Sequence, residues 1–192
     1  MKELEKANNG EFYNPNYNET LIKLRIKTQN LCYQYNKLSP KRTRKRKSIL
    51  KKIINTIDDN YLLEQPIHID YGINTTIGKN FYSNYNLTIL DGAKVEFGDN
   101  CFIGPNCSIY TAIHPIDKKL RNKGLEKAKQ VKIGNNVWFG GGVTVLPGIT
   151  VGNNVVIGAG SVVTKDIPDN VVAAGNPCKI IRKIEEEEGN EK

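Results

Sequence analysis

Residues 131–166, VKIGNNVWFGGGVTVLPGITVGNNVVIGAGSVVTKD, place an aliphatic or aromatic residue at every sixth position, often with glycine after it. The leading pairs are Ile133-Gly134, Phe139-Gly140, Val145-Leu146, Val151-Gly152, Ile157-Gly158 and Val163-Thr164. The same phase continues upstream through Phe97-Gly98, Ile103-Gly104 and Ile109-Tyr110. A six-residue period predicts a mainly β solenoid, in which each repeat is a short strand with a turn and three repeats make one triangular coil.

The residue types predict which positions of this prism are interior and which are corners. The leading aliphatic residue points inward, as does the residue four places later, such as Val137 or Val155. Gly, Asn and Asp suit the corners, where positive φ is inexpensive for them. A sandwich of short strands is the alternative, but its strands would show a period of two and irregular turn spacing.

Composition limits the classes of function. The chain has 192 residues and a net charge of +8, and the whole excess of basic residues precedes the repeats. No apolar run approaches the roughly 20 residues that span a membrane, and the N-terminus lacks an apolar signal core. We therefore expect a cytoplasmic protein without membrane contact. Cys101 and Cys107 fall at inward positions and are interpreted as core residues.

The pattern divides the chain into three segments. Residues 1–60 form a predicted helical segment, residues 61–180 the repeat prism, and residues 181–192 an acidic tail expected to fray. Within the prism the repeat disappears over residues 111–130, which we interpret as an excursion loop on a rigid scaffold, where function often lies.

The N-terminal segment is predicted to be a helical hairpin after an irregular stretch at residues 1–17. Asn18 can cap a helix that ends near Asn36. Ser39-Pro40 is expected to open a second helix that ends near Ile57.

A basic run at residues 41–47 holds six Lys or Arg in seven positions. It is interpreted as a solvated helix face, because no aromatic residues are interleaved with it. A non-catalytic, nucleic-acid-binding protein is the alternative of another class, and it predicts salt-dependent binding to polynucleotide. We expect no nucleic-acid partner.

The two histidines, His68 and His114, are too few for a metal site built from three imidazoles, so no metal is expected. His114 stands where the repeat breaks into the loop, with Pro115 after it, and is a candidate general base. An ordinary surface histidine is the alternative. Asn84 falls at a corner, where it could equally be a turn residue. Trp138 follows an inward residue and should face outward, toward a ligand or another subunit.

Several motifs together resemble the maltose and galactoside O-acetyltransferases, and the resemblance covers nearly the whole chain. These motifs are Asp70-Tyr71-Gly72, residues 81–86 (FYSNYN), residues 111–117 (TAIHPID), residues 133–138 (IGNNVW) and residues 163–168 (VTKDIP). The resemblance implies a left-handed parallel β-helix and a homotrimer with active sites between subunits. It also implies acetyl-CoA as donor and a sugar hydroxyl as acceptor, such as that of glucose, maltose or a galactoside.

Residue roles follow from the same resemblance. His114 matches the catalytic base and Asn84 the residue that contacts the acceptor and the transition state. Asp70 and Asp91 stand at or near acceptor-contacting positions. The positions that match the acetyl-CoA site are Trp138, Gly141, Ala159, Thr164 and Lys165 along the pantetheine arm, and Lys179 and Arg182 at the nucleotide end.

Two departures from the family lie on the acceptor side. Asn14 and Asn16 occupy a stretch where some relatives carry an acceptor-binding aspartate, and Glu126 replaces an apolar residue of a close relative. Both differences concern the acceptor and not the acetyl transfer. An antibiotic or amino-sugar acetyltransferase on the same fold is therefore the alternative, although the N-terminal helical segment favours sugar hydroxyls.

Overall fold

The computed structural model describes residues 2–58 and 60–185, and a parallel β-solenoid with three faces forms its main body. The first face contains β1 (Thr56–Ile57), β4 (Thr75–Ile77), β7 (Val95–Phe97), β12 (Val131–Ile133) and β15 (Thr150–Val151). The second face contains β2 (Tyr61–Leu63), β5 (Phe81–Ser83), β8 (Phe102–Ile103), β13 (Val137–Phe139), β16 (Val155–Ile157), β18 (Val171–Ala174) and β19 (Lys179–Lys183). The third face contains β3 (Ile67–Ile69), β6 (Leu87–Leu90), β9 (Ser108–Tyr110), β14 (Thr144–Val145) and β17 (Val162–Val163). The predicted fold class is confirmed.

Two edges of this prism carry most of the predicted site residues, and we call them the glycine edge and the loop edge. The glycine edge joins the second face to the third and comprises residues 84–86, 104–106, 140–142 and 158–160. The loop edge joins the third face to the first and comprises residues 70–74, 91–94, 111–130, 146–149 and 164–166.

The length of a coil changes along the chain. Thr56 pairs with Thr76, so an early coil takes 20 residues, whereas Lys132 pairs with Thr150 and a later coil takes 18. The two extra residues of the early coils lie at the loop edge, before β4 and β7. These two residues explain why the six-residue phase of the sequence shifts by two positions near Val95.

The interior is a stack of apolar side chains from the three faces. Val137, Val155 and Ile157 are at most 1% exposed, and Cys101 and Cys107 are 0% exposed, as their inward positions predict. Asparagines occupy many corners with positive φ, such as Asn80, Asn100 and Asn136. Since only glycine and short polar residues adopt this conformation easily, the corner pattern of the sequence is explained.

The N-terminal helices close the first coil. Asn18 caps α2 (Glu19–Asn36) through its side chain, which accepts a 3.0 Å hydrogen bond from the Leu21 amide. Helix α2 packs against α3 (Thr43–Ile53). Their apolar residues join the same buried cluster as the first coil of the solenoid. The helical hairpin is therefore confirmed and forms a cap on the core.

Two features of this segment differ from the prediction. Residues 1–17 contain a helix, α1 (Lys2–Asn8), whose Ala7 is buried in a second apolar cluster beside the loop edge. Helix α3 begins at Thr43 and not at Ser39-Pro40, because Ser39 forms a turn in which its carbonyl accepts from the Arg42 amide. It ends at Ile53 because Ile54 is extended and leads into β1.

The excursion loop leaves and returns at the loop edge, as the break in the repeat predicts. Its arms are β10 (Ala112–Ile113) and β11 (Lys127–Ala128), which pair antiparallel, and α4 (Lys118–Asn122) lies between them. The Lys129 amide donates to the Thr111 carbonyl over 2.9 Å and closes the base of the loop.

The C-terminal end turns back onto the second face. Residues 181–183 belong to β19, which runs antiparallel to β18, whereas they were predicted to belong to the tail. The rest of the predicted tail, beyond residue 185, lies outside the described residues. In the part of the chain that the structure describes, no helix has the length and apolar character needed to cross a bilayer.

Candidate active site

His114 lies on the outgoing arm of the excursion loop, directly after β10. Its side chain is 56% exposed, and its Nε2 lies 3.6 Å from Oε2 of Glu126 on the returning arm. An exposed imidazole beside a carboxylate is an arrangement suited to a general base. His68, in contrast, is an exposed residue of β3.

Glu126 is the neighbour of His114, and Tyr13 in turn contacts Glu126; the sequence marked Glu126 only as a departure from the family and gave no sign of Tyr13. The Tyr13 hydroxyl donates a hydrogen bond to Oε1 of Glu126, and both residues are buried. Burial, with Glu126 next to it, raises the pKa of the Tyr13 phenol, so the hydroxyl stays protonated as a donor. The two residues are 113 positions apart, and no local motif in the sequence connects them.

Asp70 lies at the loop edge and is partly buried. Burial raises the pKa of its carboxyl, while Arg25 from α2 opposes this effect and Glu126 adds to it. Asp70 also lines a cavity of about 280 Å³ between α2 and the third face, together with His68 and Tyr33. An acceptor at His114 would therefore find Asp70 on the same edge of the prism.

Asp91 is placed differently from its predicted role as an acceptor contact. It is 0% exposed. Its Oδ1 accepts from the Tyr71 amide over 2.8 Å, and its Oδ2 accepts from the Thr75 hydroxyl over 3.0 Å. Burial raises its pKa to about 7 despite these bonds. The structure therefore puts Asp91 beneath the site, as a support for the backbone at Tyr71 rather than a surface contact.

Asn84 lies on the glycine edge and is oriented by two hydrogen bonds. Its Oδ1 accepts from the Tyr85 amide over 2.8 Å, and its backbone amide donates to the Ile103 carbonyl over 2.8 Å. Among residues 2–58 and 60–185, no hydrogen-bond partner of its Nδ2 is found. Its φ is not positive, unlike that of Asn86, so a left-handed turn conformation does not explain an asparagine here.

The remaining predicted residues are distributed over three parts of the prism. Gly141 and Ala159 lie on the glycine edge in adjacent coils; a Cβ added at Gly141 would meet Pro105 at 3.3 Å. Trp138 projects from the second face and is 57% exposed, as predicted. Lys179 and Arg182 are exposed on β19, on the same face. Thr164 and Lys165 lie on the loop edge.

One chain therefore carries two separate groups of predicted site residues. Asn84, Gly141 and Ala159 are on the glycine edge, whereas His114, Asp70, Thr164 and Lys165 are on the loop edge. Within one chain, the residues predicted to line the pantetheine arm are therefore divided between the two edges. The third face lies between them, and its strands of two to four residues, at about 3.3 Å per residue, keep the two groups apart. A single chain does not bring His114 and Asn84 together.

Asn14 and Asn16 hold the N-terminal segment to the excursion loop. The Asn14 side chain accepts from the Tyr17 amide over 3.0 Å and donates to the Lys123 carbonyl over 3.3 Å. Asn16 donates to the Gly124 carbonyl over 3.4 Å. Both amides therefore have structural partners at the positions where the family resemblance led us to expect an acceptor-binding aspartate.

The described part of the chain offers a base and hydrogen-bond donors, and its four cysteines are buried. Burial raises the pKa of Cys101 to about 11, so its thiol is a poor nucleophile. No group of three or more His, Cys, Asp or Glu residues that could hold a metal ion is found within residues 2–58 and 60–185. The arrangement is suited to deprotonating an alcohol for direct attack on an activated acyl group.

Comparison with protein families gives three matches along the chain. Residues 6–58 match the maltose acetyltransferase hexapeptide capping motif. Residues 130–165 match the bacterial transferase hexapeptide model of six repeats, and residues 94–114 match a hexapeptide repeat of succinyl-transferase. The cap and the solenoid are thus both matched.

Known proteins are similar over most of the chain. Galactoside O-acetyltransferase of Escherichia coli is 45% identical over 86% of this chain and 82% of its own length. The crystal structure of a maltose O-acetyltransferase from Clostridium difficile superposes with a TM-score of 0.94 at 50% identity, over 97% of this chain and 99% of that one. A galactoside acetyltransferase in complex with coenzyme A superposes with a TM-score of 0.92 at 43% identity, over 96% and 92%.

Proposed function

The chain belongs to the maltose and galactoside O-acetyltransferase family of hexapeptide-repeat acetyltransferases, and on this premise we propose that it moves an acetyl group from acetyl-CoA to a sugar hydroxyl. The proposed acceptors are glucose, maltose and galactosides. The observation that carries the proposal is the exposed imidazole of His114 beside the carboxylate of Glu126, at the loop edge of a family scaffold. A location in the cytoplasm stays a prediction from the sequence.

His114 is the proposed general base. It takes the proton from the acceptor hydroxyl while that oxygen attacks the thioester carbonyl, which produces a tetrahedral oxyanion. Loss of the thiolate restores the carbonyl, and the imidazolium returns its proton to the leaving sulfur. No acyl-enzyme is required, in agreement with the burial of the cysteines.

Asn84 is the proposed donor to the oxyanion. Preorganised donors are effective because they need no reorientation as charge develops. The hydrogen bond that Oδ1 accepts from Tyr85 fixes the amide plane of Asn84, and Nδ2 has no hydrogen-bond partner among the described residues. This orientation supports a role for Nδ2 in stabilising negative charge.

Acetyl-CoA is proposed to lie along the glycine edge and the adjacent second face. Gly141 and Ala159 leave room for a slender pantetheine arm to approach the backbone, and Trp138 offers an exposed ring beside it. The exposed cations of Lys179 and Arg182 suit the phosphates. Coenzyme A in the structure of the related galactoside acetyltransferase supports this donor.

The functional enzyme is proposed to be a homotrimer. Because Asn84 and His114 lie on opposite edges of one prism, a site that uses both needs the glycine edge of one copy against the loop edge of the next. An outward apolar row on the second face supports such contacts: Leu62 is 42% exposed and Phe102 52%. Large exposed apolar groups of this kind are typical of interfaces.

A sugar acceptor is proposed in preference to an antibiotic, because the capping motif of the maltose acetyltransferases matches the N-terminal segment. The ratio of kcat/KM for maltose to that for chloramphenicol distinguishes the two acceptors. A ratio above one supports the sugar.

The direct test is release of free thiol from acetyl-CoA by the purified protein with a panel of sugars. We expect turnover on at least one sugar, and a loss of about 10²-fold or more in kcat for His114→Ala, the range typical of a general base. His68→Ala is the matched control and should keep wild-type turnover. Absence of turnover on every sugar, or full activity of His114→Ala, would overturn the proposal.

A further inference from the structure

Glu126 is a buried carboxylate on the returning arm of the excursion loop, and its two oxygens face different groups. Oε2 lies 3.6 Å from Nε2 of His114, and Oε1 accepts the hydrogen bond from the Tyr13 hydroxyl. Glu126 is 8% exposed and Tyr13 is 1% exposed. Since burial of a carboxylate is costly unless it has partners, both contacts help to keep it in this position.

Backbone hydrogen bonds also hold Glu126 in place. The Tyr13 amide donates to the Glu126 carbonyl over 3.0 Å, and the Glu126 amide donates to the Tyr13 carbonyl over 3.1 Å. Gly92 leaves space for the phenol, because a Cβ added there would lie 2.6 Å from the Tyr13 hydroxyl oxygen. The position of Glu126 is therefore fixed from the N-terminal segment and from the solenoid.

We propose that Glu126 is the positioning residue for His114 and that Tyr13 holds Glu126 in place for this purpose. The inference rests on the proposed function, in which His114 is the base. A carboxylate that faces Nε2 favours the neutral tautomer with its proton on Nε2, which leaves the lone pair on Nδ1 to accept the proton of the sugar hydroxyl. When Nδ1 has taken that proton, the imidazolium lies next to a negative charge that stabilises it.

The distance of 3.6 Å between Nε2 and Oε2 is longer than a hydrogen bond. Catalytic hydrogen bonds are often long in the absence of substrate and shorten in the reacting complex. Because Tyr13 holds Glu126, the exposed imidazole of His114 is the group that would rotate to close the gap.

Kinetic measurements on the assembled enzyme test the role of Glu126. Glu126→Gln removes the charge at nearly constant volume, and we expect kcat to fall about 10- to 100-fold while the KM for acetyl-CoA changes less than about twofold. Glu126→Asp should recover part of the loss, because it restores the carboxylate. Asp117→Asn is the control on the same loop; Asp117 caps α4 by accepting from the Leu120 amide, and this variant should keep wild-type kcat.

The imidazole tautomer gives a second readout that needs no turnover. The chain has only two histidines, so ¹⁵N signals of labelled imidazole can be assigned with His68→Asn. We expect the neutral His114 ring to carry its proton on Nε2 in the wild type and to show a mixture of tautomers in Glu126→Gln. Tyr13→Phe, which keeps the ring and removes the hydroxyl, should shift the signals in the same direction.

Wild-type kcat and unchanged ring signals in Glu126→Gln would overturn the inference and leave the proposed function intact. If Glu126→Gln does not fold, Glu126→Asp and Tyr13→Phe test the inference in its place. Wild-type kcat together with wild-type ring signals in both of these variants would overturn the inference. If the wild-type protein acetylates no sugar, the proposed function fails. The ring signals then still show whether Glu126 sets the tautomer of His114.

Discussion

At the scale of single residues, Asn84 illustrates how the solenoid orients a polar side chain that we propose to be an oxyanion donor. Its oxygen and its backbone amide are engaged by Tyr85 and Ile103, so only Nδ2 remains to meet a ligand. The sequence identified Asn84 and His114 because they lie in recognisable local motifs. It marked Glu126 only as a departure from the family and did not connect it with Tyr13, because their contact joins segments 113 residues apart.

Asn84→Ala should reduce kcat by roughly 10²- to 10³-fold, the usual cost of one oxyanion donor. The KM for acetyl-CoA should change little, because the lost hydrogen bond forms mainly in the transition state. Asn86→Gly is the matched control; Asn86 has positive φ, which glycine adopts without strain. Equal losses of kcat in both variants would contradict a specific role for Asn84.

Asp91 makes stability depend on pH in a predictable direction. Burial raises its pKa from 3.8 to about 7, so the folded protein binds the proton more tightly than the unfolded chain does. The stabilisation from this proton is complete below about pH 4 and is lost as the pH rises through about 7. The thermal midpoint should therefore fall between pH 5 and pH 8 in the wild type, and fall less in Asp91→Asn. Parallel pH profiles of the two proteins would contradict this account.

At the scale of elements, periodicity was sufficient to predict the solenoid and the excursion loop, because every repeat in the stack has the same surroundings and therefore the same residue types. The boundaries of the helical cap were less predictable. Ser39-Pro40 has the composition of a helix start, yet Ser39 closes a turn instead. Thr56–Ile57 continues an apolar helical pattern, but pairing with β4 makes it a strand. At Ser39 a local turn replaced the start of the helix, whereas at Thr56–Ile57 pairing with a distant strand outweighed the local pattern.

Arg46 fastens the helical cap to the first coil. It lies in the basic run, but unlike the exposed Arg44 it is buried. It donates to the Leu63 carbonyl over 2.7 Å and to Glu64 over 3.2 Å. Part of the run is therefore structural, whereas the sequence suggested a wholly solvated face.

Arg46→Ala should lower the free energy of unfolding by roughly 2–4 kcal/mol, because it leaves the Leu63 carbonyl without this donor and removes buried packing. Arg44→Ala, on the same helix and of the same residue type, should change it by less than about 0.5 kcal/mol. Chemical denaturation of the two variants measures the difference. Similar stabilities would show that Arg46 does not hold the cap.

At the scale of the whole molecule, the distribution of the proposed site residues over two edges is the reason for proposing a trimer. The loop edge supplies His114, Glu126 and Asp70, and the glycine edge supplies Asn84. A heterologous contact between these two edges closes into a ring when the rotation between copies is one third of a turn. The sequence alone predicted this assembly only through resemblance, because a repeat pattern does not indicate which edges meet.

The most direct measurement of this shared site is complementation between two inactive variants. His114→Ala retains Asn84, and Asn84→Ala retains His114, so neither variant alone has an intact site. When equal amounts are co-assembled and mixed trimers are verified by native mass spectrometry, about a quarter of the sites combine His114 of one copy with Asn84 of the next. We expect about a quarter of wild-type turnover. Verified mixed trimers without recovered activity would contradict a site shared between neighbouring chains.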